Sequence, residues 1–225
     1  MTDKIKVGAI TVGQSPRVDV VPEMQELLPS HVEIVEAGAL DGMTRQEIEA
    51  LPISDDDYIL VSRLADGTSV RFAESQILPK LQQKINMLEA MGAVYNVVIC
   101  TGEFEHKFET AVPLLFPEKI LVSNVKPLLY RGRLGVVTPL PEQMEQCRSK
   151  WSGIADDILT VSASPYGDIS EIESAVTELR RKNLDLIVLD CIGYDTAMKT
   201  AVKKITGVPV MIARSMIARV LSEIL

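Results

Sequence analysis

Two cysteines in this sequence stand where aliphatic runs stop. The first closes Val97-Val98-Ile99-Cys100-Thr101-Gly102, and the second lies in Ile187-Val188-Leu189-Asp190-Cys191-Ile192-Gly193-Tyr194. A thiolate can act as a nucleophile or as a base. A helix N-terminus, with its free N–H groups, favours that negative charge. A single cysteine is more often an inert, buried small hydrophobe. Two of them, each ending a strand-like run and each followed within two residues by glycine, favour chemistry. Cys147 is the contrast. It lies within the helical stretch Glu142-Gln143-Met144-Glu145-Gln146-Cys147-Arg148 with no strand end or glycine beside it, and reads as structural.

Ligands in open parallel sheets bind beyond the carboxyl ends of the strands. Two further polar sequences fall at such ends. Thr11-Val12-Gly13-Gln14-Ser15-Pro16-Arg17 combines small residues, whose N–H groups can converge, with a following helix and a fixed charge at Arg17. A carboxylate or phosphate suits that combination, although an ordinary strand-to-helix turn fits it equally. Thr138-Pro139-Leu140-Pro141 adds a hydroxyl at Thr138. The candidate binding set is therefore Thr11, Gly13, Gln14, Ser15, Arg17, Thr101, Gly102, Thr138, Gly193 and Tyr194. Arg63 joins it, in a polar stretch after a strand, with Arg71 nearby. His31 and His106 read as exposed turn and loop residues. Asp55 to Asp57 and Asp156-Asp157 read as solvated turns. GK[ST], HExxH, GxSxG and GxGxxG are all absent, so phosphate-loop, zinc-protease, hydrolase and dinucleotide readings have no support.

Strand-like and helical patterns alternate along the whole chain. Strands are expected at Lys4–Val12, Val32–Val35, Tyr58–Ser62, Val94–Ile99, Lys119–Val122, Arg133–Val137, Ile158–Ser162, Leu184–Leu189 and Val208–Ile212. Helices are expected from about Val21 to Leu28, from Ala73 to Met91, over Phe108–Leu115, and at Glu142–Ile154, Ile169–Lys182, Asp195–Ile205 and Ser215–Ile224. Thr44-Arg45-Gln46-Glu47 is a capping-box pattern opening a short helix. Thr68 to Phe72 reads as the return of a hairpin across Asp66-Gly67. The fold class is α/β: two similar lobes, residues 1–115 and 116–225, with mainly parallel sheets flanked by helices. The closing helix is free to pack back on the first lobe.

Bulk composition narrows the class further. The 225 residues are 47% hydrophobic but only 4% aromatic, so the core is aliphatic. The net charge of −8 argues against nucleic acid and anionic membrane, both of which need a basic surface. No apolar run approaches the roughly 20 residues that span a bilayer. Met1-Thr2-Asp3-Lys4-Ile5 does not have the pattern of a leader. Three cysteines, none in a CxxC pair, argue against a disulfide framework and a structural zinc, and fit a reducing cytoplasm. No metal or cofactor is expected.

Taken together, these stretches resemble the AroM family, within the aspartate/glutamate/hydantoin racemase superfamily. The resemblance is densest at Thr11–Arg17, at Cys100-Thr101-Gly102-Glu103-Phe104 and at Leu189–Tyr194, with Val208-Pro209-Val210 and Ile217-Ala218-Arg219 completing it. It implies two lobes related by a pseudo-two-fold, with a cleft between them. It also implies cofactor-independent chemistry on a small carboxylate, in which Cys100 and Cys191 remove and return a proton at opposite faces of one carbon. Dimers are common among such relatives, so a homodimer is the expectation by analogy. Two departures stand out. Thr101-Gly102 replaces the Asn-Thr that usually follows the first cysteine, and Ile192-Gly193 replaces the Thr-His that usually follows the second. Three activities stay open: two-thiol racemisation or isomerisation, single-thiol decarboxylation or cis–trans isomerisation, and binding of a small carboxylate without turnover.

Overall fold

The run Ile5-Lys6-Val7-Gly8-Ala9-Ile10-Thr11 forms strand β1 (Ile5–Thr11), buried on both faces from Val7 onward. A strand this apolar needs cover on both sides, which parallel α/β layering supplies. The computed structural model describes residues 4–129 and 132–225. Met1-Thr2-Asp3, read above as lacking a leader, lie outside the described residues.

From β1 the chain continues through α1 (Val21–Glu26), β2 (Val32–Gly38), α2 (Arg45–Glu49), β3 (Ile59–Arg63), β4 (Ser69–Ala73), α3 (Leu78–Ala90), β5 (Ala93–Ile99) and β6 (Leu114–Leu115). It then runs through α4 (Pro117–Leu128), β7 (Arg133–Thr138), α5 (Met144–Trp151), β8 (Asp157–Ser162), α6 (Ile169–Val176), β9 (Leu186–Leu189), α7 (Thr196–Thr206), β10 (Val210–Ile212) and α8 (Ala213–Ile224). Two compact units divide the chain. One runs through Pro117 and regains Ile217–Leu225, and the other is Glu118–Met216.

Each unit has a four-stranded parallel sheet, in the order β2-β1-β5-β6 in the first and β10-β9-β7-β8 in the second. Reversing the second order gives β8-β7-β9-β10, which is the same winding. In both, the opening strand is central, the next strand lies to one side, and the remaining two lie to the other. The winding direction therefore reverses between β1 and β5, and again between β7 and β9. Such reversals are where parallel sheets open a ligand crevice. The first unit adds an antiparallel hairpin, β3 with β4, in the register Ile59↔Ala73 to Arg63↔Ser69.

Local signals account for most elements. Thr44 and Glu47 complete the expected capping box of α2, and Asp168 with Glu171 does the same for α6. Gly207, at φ +73°, closes α7. In the first core, Leu81, Ile85 and Leu88 of α3 pack with Ile10, Val98 and Cys100. In the second, Ile172 and Val176 of α6 and Met198 and Val202 of α7 pack with Ile187, Leu189 and Cys191. Among the described residues no helix is long and apolar enough to cross a membrane.

Two expectations are corrected. Phe108–Leu115 is not a helix. Its chain is extended: Pro113 accepts a hydrogen bond from the Asn96 amide at 2.9 Å, and Leu114–Leu115 pair with β5. Phe104, Phe108 and Phe116 hold the segment by ring packing at centroid distances of 6.0 to 6.4 Å. Lys119–Val122 is not a strand but part of α4. The local run Ile120-Leu121-Val122 favours strand, yet Leu121, Val125 and Leu129 are buried at a spacing of four. Burying a helical stripe outweighs the β-branched propensity of those residues.

Candidate functional site

Cys100 follows β5 and Cys191 follows β9 by two residues, so both emerge beside the winding reversal of their own sheet. Their side chains lie on corresponding faces. Cys100 packs toward α3, the crossover helix before β5, and Cys191 toward α6, the crossover helix before β9. Both are free thiols, 9% and 7% exposed.

The two loops then make the same local hydrogen bond. Gly102 N–H donates to Cys100 Sγ at 3.3 Å, and Gly193 N–H donates to Cys191 Sγ at 3.4 Å. Each sulfur thus has an amide donor two residues ahead, which stabilises negative charge on it. Glycine is what fits at that second position. A Cβ at 102 would stand 2.6 Å from Leu60 Cδ2, and one at 193 would stand 2.9 Å from Pro165 Cγ. This donor, rather than a helix terminus, is what the loop itself presents to each thiol. Residues 101–113 contain no helix, and α7 begins at Thr196, capped by Asp195. The expected helix N-terminus beside each cysteine is corrected accordingly.

Thr11 and Thr138 end β1 and β7, the strands across each reversal, and both are buried. Thr11 pairs in register with Ile99, the residue before Cys100. Its Oγ1 accepts from Gly13 N–H at 3.3 Å and from Arg17 Nη1 at 3.1 Å, so its proton is the capacity left for donation. Thr101, buried, follows Cys100 directly.

The loop after β1 is braced by its own side chains. Gln14 donates to the Leu40 and Met43 carbonyls at 3.2 and 2.8 Å, and its Oε1 accepts from Ala65 N–H at 2.9 Å. Ser15 donates to Asp41 from its amide at 2.7 Å and from its hydroxyl at 2.8 Å. Arg17 is only 2% exposed and forks onto both carboxylate oxygens of Asp19 at 2.8 Å each. Its amide donates to Glu36 at 2.6 Å. Burial pushes the Asp19 carboxyl up, but the Arg17 hydrogen bond and charge outweigh it and hold the group below its ordinary value. Burial raises Glu36, and the Arg17 amide only partly offsets it. Arg63 donates to the Gly67 carbonyl at 3.1 Å, its own carbonyl accepts from Gln14, and its charge helps lower Asp19. Arg71 is exposed on β4.

On the second thiol's side, Tyr194 is fully buried and its hydroxyl donates to the Ala163 carbonyl at 2.6 Å. Burial, then the nearby Cys191 and Asp190, push its phenol well above the ordinary value. Asp190 points to the other sheet face, where its Oδ2 meets Lys150 Nζ at 2.5 Å and Trp151 Nε1 at 2.8 Å. Cys147 Sγ joins the same oxygen at 3.5 Å, while Asp190 Oδ1 has no hydrogen-bond partner. Burial, reinforced by the Asp190 carboxylate, drives the Cys147 thiol far above the thiolate range.

Several of these partners escaped the sequence reading. Glu36 and Asp41 carry no local signal, because their partners Arg17 and Ser15 come from another stretch, whereas Asp19 lies only two residues from Arg17. Arg214 is buried and donates to the carbonyls of Ile192 and Gly193. One signal for it was available: it is a single charge inside the apolar run Val210-Met211-Ile212-Ala213-Arg214. His106 is exposed and meets Phe108 edge-on at 4.7 Å. Among the described residues no group of three or more His, Cys, Asp and Glu is placed to hold a metal ion.

Known structures share this architecture. Picrophilus torridus aspartate racemase aligns over 97% of this chain and 93% of its own, with a TM-score of 0.64 and 13% identity. An allantoin racemase from Klebsiella pneumoniae aligns over 98% and 87%, with a TM-score of 0.63 and 13% identity. The maleate isomerase of Pseudomonas putida S16 aligns over 95% and 90%, with a TM-score of 0.60 and 15% identity. At such identities the likeness is one of fold. No curated protein matches the chain. The family described as AroM protein matches residues 7–225, nearly the whole sequence, and the chain belongs to the AroM family.

Proposed function

We propose that this chain is a cofactor-independent racemase or isomerase of a small carboxylate, with Cys100 and Cys191 exchanging a proton with one carbon from opposite sides. The observation that carries this reading is the repeated N–H···Sγ geometry at the two sheet reversals, 3.3 Å at Cys100 and 3.4 Å at Cys191. In the reaction, one thiolate takes the proton next to the carboxylate. The electron pair delocalises into the carboxylate, and the other thiol returns a proton to the opposite face. A weak carbon acid needs donors aimed at that carboxylate. Thr11, Thr101 and Thr138 are assigned that part, because each is buried at, or just past, the end of a strand that flanks a sheet reversal. Gln14, Ser15, Arg17 and Arg63 act through the loop they brace, and Tyr194 through its anchor at Ala163. Three free thiols suit a reducing compartment such as the cytoplasm.

The test incubates the protein in heavy water with a panel of small carboxylates and follows loss of the proton next to the carboxylate by NMR. Wild type exchanges at least one compound. Cys100→Ser and Cys191→Ser each block exchange from one enantiomer. Failure of every compound in a broad panel, while several raise the melting temperature, refutes turnover and leaves carboxylate binding. A second reading, single-thiol cis–trans isomerisation or decarboxylation, draws on the shared fold with maleate isomerase. It requires that Cys191→Ser abolish turnover and Cys100→Ser spare it.

A further inference from the structure

Arg214 is the second residue of α8, and only 1% of it is exposed. A guanidinium is costly to bury unless its donors are met. Its Nε donates to the Ile192 carbonyl at 3.1 Å and its Nη2 to the Gly193 carbonyl at 2.6 Å. Both carbonyls belong to the loop that starts at Cys191.

The peptide joining Ile192 to Gly193 is the link. Its carbonyl oxygen accepts from Arg214, and its N–H donates to Cys191 Sγ at 3.4 Å. A trans peptide is planar, with C=O and N–H on opposite edges, so fixing one direction fixes the other. A cation at the oxygen also draws density from the nitrogen and strengthens the N–H as a donor. From this arrangement we infer that Arg214 is a positioning residue: through the Ile192–Gly193 peptide it aims a polarised N–H at Cys191 and favours the thiolate. The inference deepens the proposed acid/base use of Cys191, yet the link from Arg214 to sulfur is measurable without any substrate.

Other groups bear on the same sulfur. Tyr194 stays a neutral phenol because burial pushes it up, and Tyr166 lies beside Gly193. The Asp190 carboxylate is answered by Lys150 on the far sheet face, with Cys147 beside it. Apolar residues of β7, β8, α6 and α7 pack in the same cluster as Cys191. Among these groups Arg214 is a cation tied to the sulfur through a single peptide.

The experiment measures iodoacetamide alkylation of each cysteine against pH, resolved by peptide mass spectrometry. Arg214→Gln is expected to slow Cys191 at pH 7 about tenfold and raise its midpoint by about one pH unit. Cys100 should stay within about twofold, and Arg214→Lys, which keeps the charge but loses the fork onto two carbonyls, should slow Cys191 less than Arg214→Gln does. An unchanged Cys191 profile, or equal slowing of both thiols, overturns the inference. Because Arg214→Gln could fail to fold, the wild-type protein supplies an independent check. The 15N resonance of Arg214 Nε and the Gly193 amide proton should both move with the Cys191 alkylation midpoint. An Arg214 signal that stays fixed while the thiol titrates also overturns it. Carboxylate exchange can be absent while these results hold, so the two ideas fail separately.

Discussion

Lys150 Nζ lies 2.5 Å from Asp190 Oδ2, and the two side chains are 4% and 1% exposed. This buried ion pair sits one residue before Cys191, on the opposite face of the sheet. Trp151, the chain's single tryptophan, donates to the same oxygen. Lys150→Met leaves the carboxylate buried without its cation and should cost about 3–5 kcal/mol. Adding Asp190→Leu removes the stranded charge and should restore a large part of that loss. Denaturant unfolding followed by Trp151 emission measures both. A loss below about 1 kcal/mol for Lys150→Met would contradict this account of the pair.

Asp19 and Glu36 should respond to pH with opposite signs. The folded Asp19 carboxyl lies below its ordinary value, since the Arg17 contacts overcome burial. Its stabilising contribution is therefore full at neutral pH and is lost as pH falls through the depressed value. Glu36 is raised, chiefly by burial, so its ionisation costs stability as pH rises through the carboxylate range. Thermal unfolding between about pH 2 and 7 separates the two. Asp19→Asn should flatten the acid-side fall. Glu36→Gln should be more stable than wild type at pH 7, with the difference vanishing below about pH 4. A less stable Glu36→Gln at pH 7 would reverse the assignment.

Gly13 and Gly102 should differ in tolerance to alanine. A Cβ at Gly13 would stand 2.3 Å from Ser62 Oγ and 2.7 Å from the Arg63 carbonyl oxygen. A backbone oxygen in a paired strand cannot retreat cheaply. At Gly102 the nearest obstacle, at 2.6 Å, is Leu60 Cδ2, the end of a side chain that can turn. Gly13→Ala should cost about 1–3 kcal/mol or more, and Gly102→Ala less. Urea midpoints give the order, and a larger loss for Gly102→Ala would refute it.

Cys147 should be the last thiol to react. Burial first, and then the Asp190 carboxylate, hold it protonated. Native alkylation at pH 8 should leave Cys147 unmodified while Cys100 and Cys191 are labelled, and unfolding should expose all three. Labelling of native Cys147 as fast as Cys191 would disprove its inert role.

Periodicity carried most of the fold. Alternating aliphatic runs and helical stripes announced parallel α/β layering, because burial on both faces leaves a continuous apolar signature in a strand. The capping residues Thr44 and Glu47 and the β3–β4 hairpin were equally legible, since their partners lie within a few residues. The misread stretches were those decided at a distance. Phe108–Leu115 is extended because it pairs with β5 and its rings cluster, and α4 is helical because of what it buries.

For the site, the sequence by itself determined which atoms could react: two thiols, each two residues ahead of a glycine, at the ends of aliphatic runs. Residue type and strand-end position are local properties, so they survive in a linear reading. Only tertiary structure decided that both glycine amides donate to their sulfurs and that Gln14 and Ser15 brace the β1 loop. The same holds for the positions of Arg17, Asp190 and Arg214. Most of those contacts join residues far apart in the chain, and even the short-range ones, Gly102 to Cys100, Gly193 to Cys191 and Arg17 to Asp19, depend on a side-chain and backbone geometry that no spacing encodes.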